Sequence, residues 1–595
     1  MSSRREFLRM SARMAAAGLA SPVDEALGIP AANGGAPRPN IILILADDMG
    51  FSDIGCFGSE VATPHLDSLS ARGIRLTEYY NNPRCCPSRA SIMTGLYAQQ
   101  AGMGMMVVDH DRYPYPGYAG ILNPQTITIP EALKSAGYNT AMVGKWHLAP
   151  ETEESKPQWP LQRGFDKFWG MIAGSSVYFE SPHLFEGNTP LPPPPKGKYL
   201  TDLWAEHAAG YVTELAADKK PFFLYAAFNA PHWPIQAPEE TVEKYATRYR
   251  NGWDKLREER HAKQIREGIV DPKWPLSPRD PRVPAWDVAD NKEWEIRRMA
   301  VYAAMIDRLD QGIGRIIEAV EKAGIFDNTL FVFMSDNGGN AEEIARGLRK
   351  LPVTDSPQGP LHFFNASGDI PCESGMTCAG NDPNVMPGGM DTFQSIGIPW
   401  GNCANTPFRL YKHYAQEGGI SSPFIACWPR AIQPKRKPIV AVGHETDLMP
   451  TFLEVAGATY PTHVAAGPIP PFVGQSLTPL FEGKKRTRRP IFWEHEGNKA
   501  VRDGKWKLVS RFPDQWELYD MNADRTELHD LAAGQPARAK AMAAMWDDWA
   551  QRTGVQPWPM PQTPPGERTG AMRTPPYLRK FSSEGNANSH IINSK

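Results

Sequence analysis

The fold turns on Asn40-Ile41-Ile42-Leu43-Ile44-Leu45-Ala46-Asp47-Asp48. An unbroken apolar run with no polar alternation predicts a strand buried on both faces, which belongs inside a parallel sheet covered by helices. Thr140 to Val143, Pro221 to Phe228 and Thr329 to Ser335 are further strand candidates of the same kind. Helical patterns lie between them. Thr63-Pro64 reads as an N-cap with proline in the first turn, opening a helix to about Arg72 that Gly73 stops. From Trp294 to Lys322, Met299, Tyr302, Ala303, Ile306, Leu309, Ile313 and Ile317 fall on one helical face. Strands alternating with helices predict an α/β domain with a largely parallel sheet.

The chain of 595 residues exceeds one ordinary domain. Residues 1–35 read as a leader and linker, 36–485 as the main domain, 486–560 as a small α+β subdomain and 561–595 as a poorly ordered tail. The subdomain is expected from short strands at Ile491 to Glu494, Lys505 to Val509 and Glu517 to Asp520, and from an amphipathic helix at Ala537 to Ala550. Leu191 to Pro195 predicts polyproline II, and Trp253 to Pro284 a partly helical insertion. Gly339 to Asn405 reads as one long polar loop, a length that often carries function. Lys484-Lys485-Arg486-Thr487-Arg488-Arg489 reads as a solvated linker, with a basic docking patch the alternative.

With 64 basic and 66 acidic residues, a net charge of −2 gives no electrostatic case for a nucleic-acid partner. Seven cysteines exclude a disulfide scaffold, although Cys372 and Cys378 are close enough in sequence to close a small loop in an oxidising compartment. Ser3-Arg4-Arg5-Glu6-Phe7-Leu8-Arg9 resembles the twin-arginine export signal, followed by a short apolar stretch from Met14 to Ala20. That stretch is too short to span a bilayer, and no membrane span is expected elsewhere. Export by the twin-arginine machinery implies a periplasmic or secreted protein.

Active sites of open parallel sheets lie at the carboxyl ends of strands. Asp47 and Asp48 end one apolar strand, and Asp336 and Asn337 end another. Three carboxylates and an amide oxygen form a hard set suited to Ca²⁺, with Mg²⁺ the alternative. Lys145 and His147, in Gly144-Lys145-Trp146-His147, and His232, in Ala230-Pro231-His232-Trp233, follow two more strands. Trp146, Trp233 and Tyr411 are candidates for the wall of a substrate pocket.

Cys85-Cys86-Pro87-Ser88-Arg89-Ala90-Ser91-Ile92-Met93-Thr94-Gly95 resembles the C-x-P-S-R signature of formylglycine-dependent (type I) sulfatases of the alkaline phosphatase superfamily. The order A-D-D, C-x-P-S-R, G-K-W-H, S-D-N-G and N-T-P-F-R-L-Y-K-H…E-G-G is similar to that of bacterial arylsulfatases. The resemblance implies an alkaline phosphatase-like fold, with a large mixed, mostly parallel sheet. It implies a sulfuric ester hydrolase acting on an aryl or carbohydrate sulfate, with Cys85 oxidised to formylglycine by a formylglycine-generating enzyme. Asp47, Asp48, Asp336, Asn337 and modified Cys85 would hold Ca²⁺. Arg89 and Lys145 would hold the aldehyde hydrate, His232 and Lys412 would clamp sulfate and protonate the leaving alcohol, and His147 would take the hydrate's second proton.

In that scheme one hydrate oxygen attacks sulfur, the alcohol leaves, and the covalent sulfate ester collapses by expelling sulfate. A thiolate is a soft partner for a hard cation, whereas a hydrate oxygen suits it. A phosphonate or phosphate diester hydrolase on the same fold, and an inactive glycan-binding relative, are the competing readings.

Overall fold

The computed structural model describes residues 38–107, 113–344, 380–487 and 489–563. The export motif at Ser3 to Arg9, Cys372, Cys378 and the tail beyond Thr563 lie outside the described residues. Ten strands form one sheet: β1 Asn40–Ala46, β2 Ile74–Tyr80, β3 Asn139–Lys145, β4 Lys167–Met171, β5 Phe185–Glu186, β6 Thr189–Pro190, β7 Phe222–Ala227, β8 Thr329–Ser335, β9 Ser421–Cys427 and β10 Ile439–His444. Their order is β10-β2-β9-β8-β1-β7-β3-β4-β5-β6. The run from β8 to β4 is parallel, and β9 lies antiparallel to both β8 and β2. The sheet is therefore mixed and mostly parallel, as the family resemblance implies. β1 is central and buried at every residue, as its unbroken apolar run predicts.

The helices that position the site are α1 Pro64–Ala71, α2 Cys85–Thr94, α3 Leu200–Ala217, α4 Gly252–Glu267, α5 Lys292–Lys322, α6 Gly397–Ala404 and α7 Leu448–Ala456. α5 buries Met299, Tyr302, Ile306, Leu309 and Ile313 beneath one face of the sheet, where they share a core with Ile42, Ile44 and Phe333. The opposite face packs Ile41, Leu43 and Leu45 against Met449, Phe452 and Leu453 of α7. Alternate residues of β1 thus feed two cores, as the pleat requires.

Three expectations need correction. Thr63 does not cap α1 with its side chain, which instead accepts the Gly55 N–H at 2.8 Å. The α1 terminus is capped from α5, where Asp310 accepts the N–H groups of His65 and Leu66 at 3.1 and 2.8 Å. The stretch from Gly339 to Asn405 is not all loop, since α6 lies within it. The basic run from Lys484 is not simply solvated: Arg486 and Arg489 each reach buried Asp447 at 2.9 Å.

A small hairpin of β11 His463–Val464 and β12 Gly467–Pro468 precedes the C-terminal sheet. That sheet is the antiparallel meander β13 Ile491–His495, β14 Asn498–Asp503, β15 Trp506–Ser510 and β16 Glu517–Asp520, followed by α8 Pro536–Thr553. One face sets Ile491, Trp493, Ala500 and Val509 against Tyr80, Ala415 and Ile420. The other sets Phe492, Val501, Leu508 and Leu518 against Met542, Trp546 and Trp549 of α8. Among the described residues no helix is long and apolar enough to cross a membrane.

Candidate active site

The β1–β8 register pairs Ala46 with Ser335, so Asp47 and Asp336 leave the sheet side by side. Asp48 adopts a left-handed conformation (φ 66°), and its N–H donates to Asp336 Oδ1 at 3.2 Å. Cys85 opens α2, and Arg89 is one turn further along the same face. The Arg89 guanidinium reaches Asp336 Oδ2 at 3.0 and 2.9 Å and the Lys145 carbonyl at 2.9 Å. Lys145 ends β3 with Nζ 2.6 Å from Asp47 Oδ2. Lys412 Nζ lies 2.9 Å from each Asp48 oxygen. Asn337 Nδ2 donates to Asp48 Oδ1 at 2.7 Å. His232 Nε2 lies 3.5 Å from Asp48 Oδ2, while its Nδ1 donates to the Trp233 carbonyl at 2.6 Å. Residues from six separate places in the sequence therefore meet, and all are buried.

His147 is buried beside this group, but its ring contacts Cys86 Sγ at 3.1 Å. Burial, with Lys145 and Arg89, holds its imidazole well below the usual range, so the ring is neutral. Burial pushes the Cys85 thiol up, with Lys145 and Lys412 only partly opposing it. An unmodified Cys85 is therefore a protonated thiol near neutral pH and a weak nucleophile. Burial and Asp47 raise Asp336 to about 7. Burial opposes ionisation of Asp48 too, but Lys412, His232 and Asn337 hold it well below the carboxylate range.

The residues present fit a hard divalent cation. Asp47 Oδ1 and Asn337 Oδ1 are buried without a hydrogen-bond partner, which is costly unless something else satisfies them. Donor atoms of Asp47, Asp48, Cys85 and His232 lie within 4.8 Å of one another. Three carboxylates are matched by Arg89, Lys145 and Lys412. A divalent cation would make the site net positive, which suits an anionic substrate group.

Sequence reading missed four neighbours. Asn340 Nδ2 donates to Asp48 Oδ2 at 2.8 Å. Glu342 accepts from Trp233 Nε1 at 2.7 Å and from Arg84, which precedes the Cys85 helix, at 2.7 Å. Cys86 meets His147. The one sequence signal for the first pair is Asn340-Ala341-Glu342-Glu343, directly after the strand-end Asp336-Asn337. Trp146, a pocket candidate, is instead core: it is fully buried and donates to the Gln158 carbonyl. Tyr411 does line a cleft beside Lys412, with Arg84, Arg282, Glu342, Glu343, His413 and Tyr414.

A mixed sheet carrying carboxylates, cations and a helix-borne cysteine at its strand ends is the arrangement that the resemblance to alkaline phosphatase superfamily hydrolases implies. The sulfatase family profile matches residues 39–458, and the profile of the N-sulphoglucosamine sulphohydrolase C-terminal region matches residues 408–553. An uncharacterised sulfatase of Schizosaccharomyces pombe is 32% identical, over 87% of this chain and 94% of its own length. An arylsulfatase of Klebsiella aerogenes is 31% identical, over 76% of this chain and 94% of its own. A solved structure in complex with k-i-k-neocarrahexaose superposes with a TM-score of 0.61 at 24% identity, covering 91% of this chain and 99% of that one. The chain belongs to the sulfatase family and is a type I sulfatase by class, a sulfuric ester hydrolase.

Proposed function

We propose that the protein hydrolyses sulfate esters through formylglycine at position 85, with Ca²⁺ or Mg²⁺ held by Asp47, Asp48, Asp336 and Asn337. The observation that carries this is Cys85 at the head of α2, enclosed by Arg89, Lys145, Lys412 and three carboxylates. The aldehyde hydrate would supply the attacking oxygen, and the cation would supply positive charge for the sulfuryl oxygens. Arg89 is pinned to Asp336 and Lys145 to Asp47, so both charges are fixed before substrate arrives.

His232 and Lys412 face the leaving group. With Nδ1 donating to the Trp233 carbonyl, His232 offers Nε2 to the site. Burial lowers this imidazole to about 3, with Lys412 and Lys145 adding to the shift and Asp48 opposing it. It therefore needs the anionic sulfate group beside it to hold a proton there. His147 assists the second step.

The cleft beside Lys412 supports a polyhydroxylated leaving group over an aryl one. Partly exposed Arg282 and Glu343 line it beside Tyr411 and Tyr414, so sugar hydroxyls can pair with these charges while a sugar face packs on a ring; an aryl ring would strip water from the two charges without replacing hydrogen bonds. A solved structure of similar fold, at 22% identity and TM-score 0.54, is in complex with its substrate D-glucosamine-2-N,6-O-disulfate, which is consistent with such a group. The expected result is an aldehyde at residue 85 by peptide mass spectrometry, and higher kcat/KM on sugar sulfates than on nitrophenyl sulfate. An intact Cys85 thiol in fully active enzyme would refute the nucleophile. His232→Ala should slow a sugar sulfate more than a nitrophenyl sulfate, by roughly 10²–10⁴-fold on the former.

The twin-arginine-like Ser3 to Arg9 supports export to the periplasm or beyond, after Cys85 is modified in the cytoplasm. Arg4→Lys with Arg5→Lys should retain active enzyme in the cytoplasm. Unchanged periplasmic activity would rule this route out.

A further inference from the structure

The residue after the nucleophile falls where the sulfatase signature leaves the residue type open, yet here it is built into the site. Cys86 is fully buried, and its Sγ lies 3.1 Å from His147 Nε2. The same sulfur accepts the Val107 N–H at 3.4 Å and touches Met106 Sδ at 3.7 Å. Gly174 packs at the same Nε2 end of the ring: a Cβ there would sit 2.2 Å from His147 Nε2 and 2.4 Å from Cε1. Nothing larger than glycine fits without displacing the imidazole. The backbone is also constrained, since His147 has φ 56° and its N–H donates to the Ile172 carbonyl at 3.1 Å. Such strain persists where the surroundings over-determine the residue. One ring nitrogen is thus engaged. The other, Nδ1, is buried without a hydrogen-bond partner.

We propose that Cys86 and Gly174 are positioning residues that seat the His147 imidazole, leaving Nδ1 to take the proton when sulfate departs from residue 85. The inference rests on the sulfatase mechanism proposed above. Nε2–H donates to Cys86 Sγ, so Nδ1 carries the lone pair. Nδ1 accepts the proton of the remaining hydroxyl on the sulfated hydrate. The O–H electrons form the carbonyl, the bond from carbon to the sulfate oxygen breaks, and sulfate leaves with that pair. The aldehyde is regenerated and water adds to it for the next turnover. No oxidant or reductant is consumed.

The test uses Cys86→Ala, Cys86→Ser and, outside the modification signature, Gly174→Ala. Rates are expressed per mole of formylglycine measured by mass spectrometry. Cys86→Ala and Gly174→Ala should lower kcat roughly 10²-fold, the scale expected when a catalytic group is misplaced by about 1 Å. The sulfate ester on residue 85 should accumulate in both after rapid quench. Cys86→Ser keeps an acceptor at the same point and should recover most of the rate. A purely structural role would not trap the ester. Wild-type kcat with no trapped ester in both Cys86→Ala and Gly174→Ala would overturn the proposal. Crystal structures of the thiol form supply a readout independent of turnover: the His147 ring should turn away in Cys86→Ala, and an unmoved ring would also overturn the seat. Absence of formylglycine or of sulfatase turnover in the wild type would instead refute the function proposed above, and the crystallographic comparison would still decide the seat.

Discussion

Asp48 carries more of the site than a single carboxylate ordinarily does. It meets Lys412, Asn337, Asn340 and His232, and its own N–H fixes Asp336. Replacing it by asparagine keeps the volume and removes the charge that balances Lys412. Asp48→Asn should bind less than one divalent ion per chain by elemental analysis and lose roughly 10²–10⁴-fold in kcat, as loss of a fixed electrostatic partner does. Retention of both metal and rate would remove Asp48 from the site. Asp47, Asp48, Asp336 and Asn337 were legible in the sequence because each follows an apolar strand, and strand ends in parallel sheets converge. Asn340, Glu342 and Cys86 were not legible. Their parts depend on which residues approach them from distant stretches, such as Arg84 on Glu342 and His147 on Cys86, and no local pattern encodes that approach.

At the level of elements, β1, β3, β7 and β8 were readable because buried parallel strands are continuous apolar runs. β2, β4, β9 and β10 were not singled out. β2, Ile74–Tyr80, contains Arg75, Thr77 and Glu78, all buried. Glu78 is tolerated there because Arg502 of β14 pairs with it at 2.7 Å, a partner more than 400 residues away. The cap of α1 is equally non-local. Burial pushes its Asp310 carboxyl up to about 7, with the backbone N–H groups of Leu66 and His65 only partly opposing it. Its folded value lies above the unfolded one near 4, so the native state holds this proton more tightly. The stability this confers is fully present below about pH 4 and is lost as pH rises through 7. Asp310→Asn removes the titration, so its stability relative to wild type should improve from pH 5 to pH 8 in denaturant unfolding. A pH-independent difference would refute the assignment. The C-terminal sheet is tied to the main domain by another buried set. Lys507 of β15 lies 2.9 Å from Glu417 and 2.8 Å from Glu527, and Arg525 reaches Glu417 at 2.9 Å. Lys507→Met would leave two buried carboxylates short of a cation and should cost about 3–5 kcal/mol in unfolding free energy.

Across the whole molecule, the C-terminal meander behaves as part of the catalytic domain rather than as an appendage. Tyr80 at the end of β2, Ala415 and Ile420 share one apolar cluster with Ile491, Trp493 and Tyr519 of the meander. Trp493 Nε1 donates to the Asn81 carbonyl at 2.8 Å, four residues before Cys85. Glu417, in the Glu-Gly-Gly segment five residues beyond Lys412, is the shared anchor of Lys507 and Arg525. The segment carrying Lys412 is thus fixed from the meander side, while the segment carrying Cys85 is fixed through Asn81. Removing residues 486–595 would expose this apolar face and strip Glu417 of both cations. The truncated chain should be insoluble, or soluble without turnover. The full chain should unfold by heat in one calorimetric transition, and, with the proposed divalent ion held only by the native state, chelation should move that transition to lower temperature. Two separated transitions, with activity surviving the first, would mean that the meander is an independent unit and that its buried ion pairs do not hold the site together.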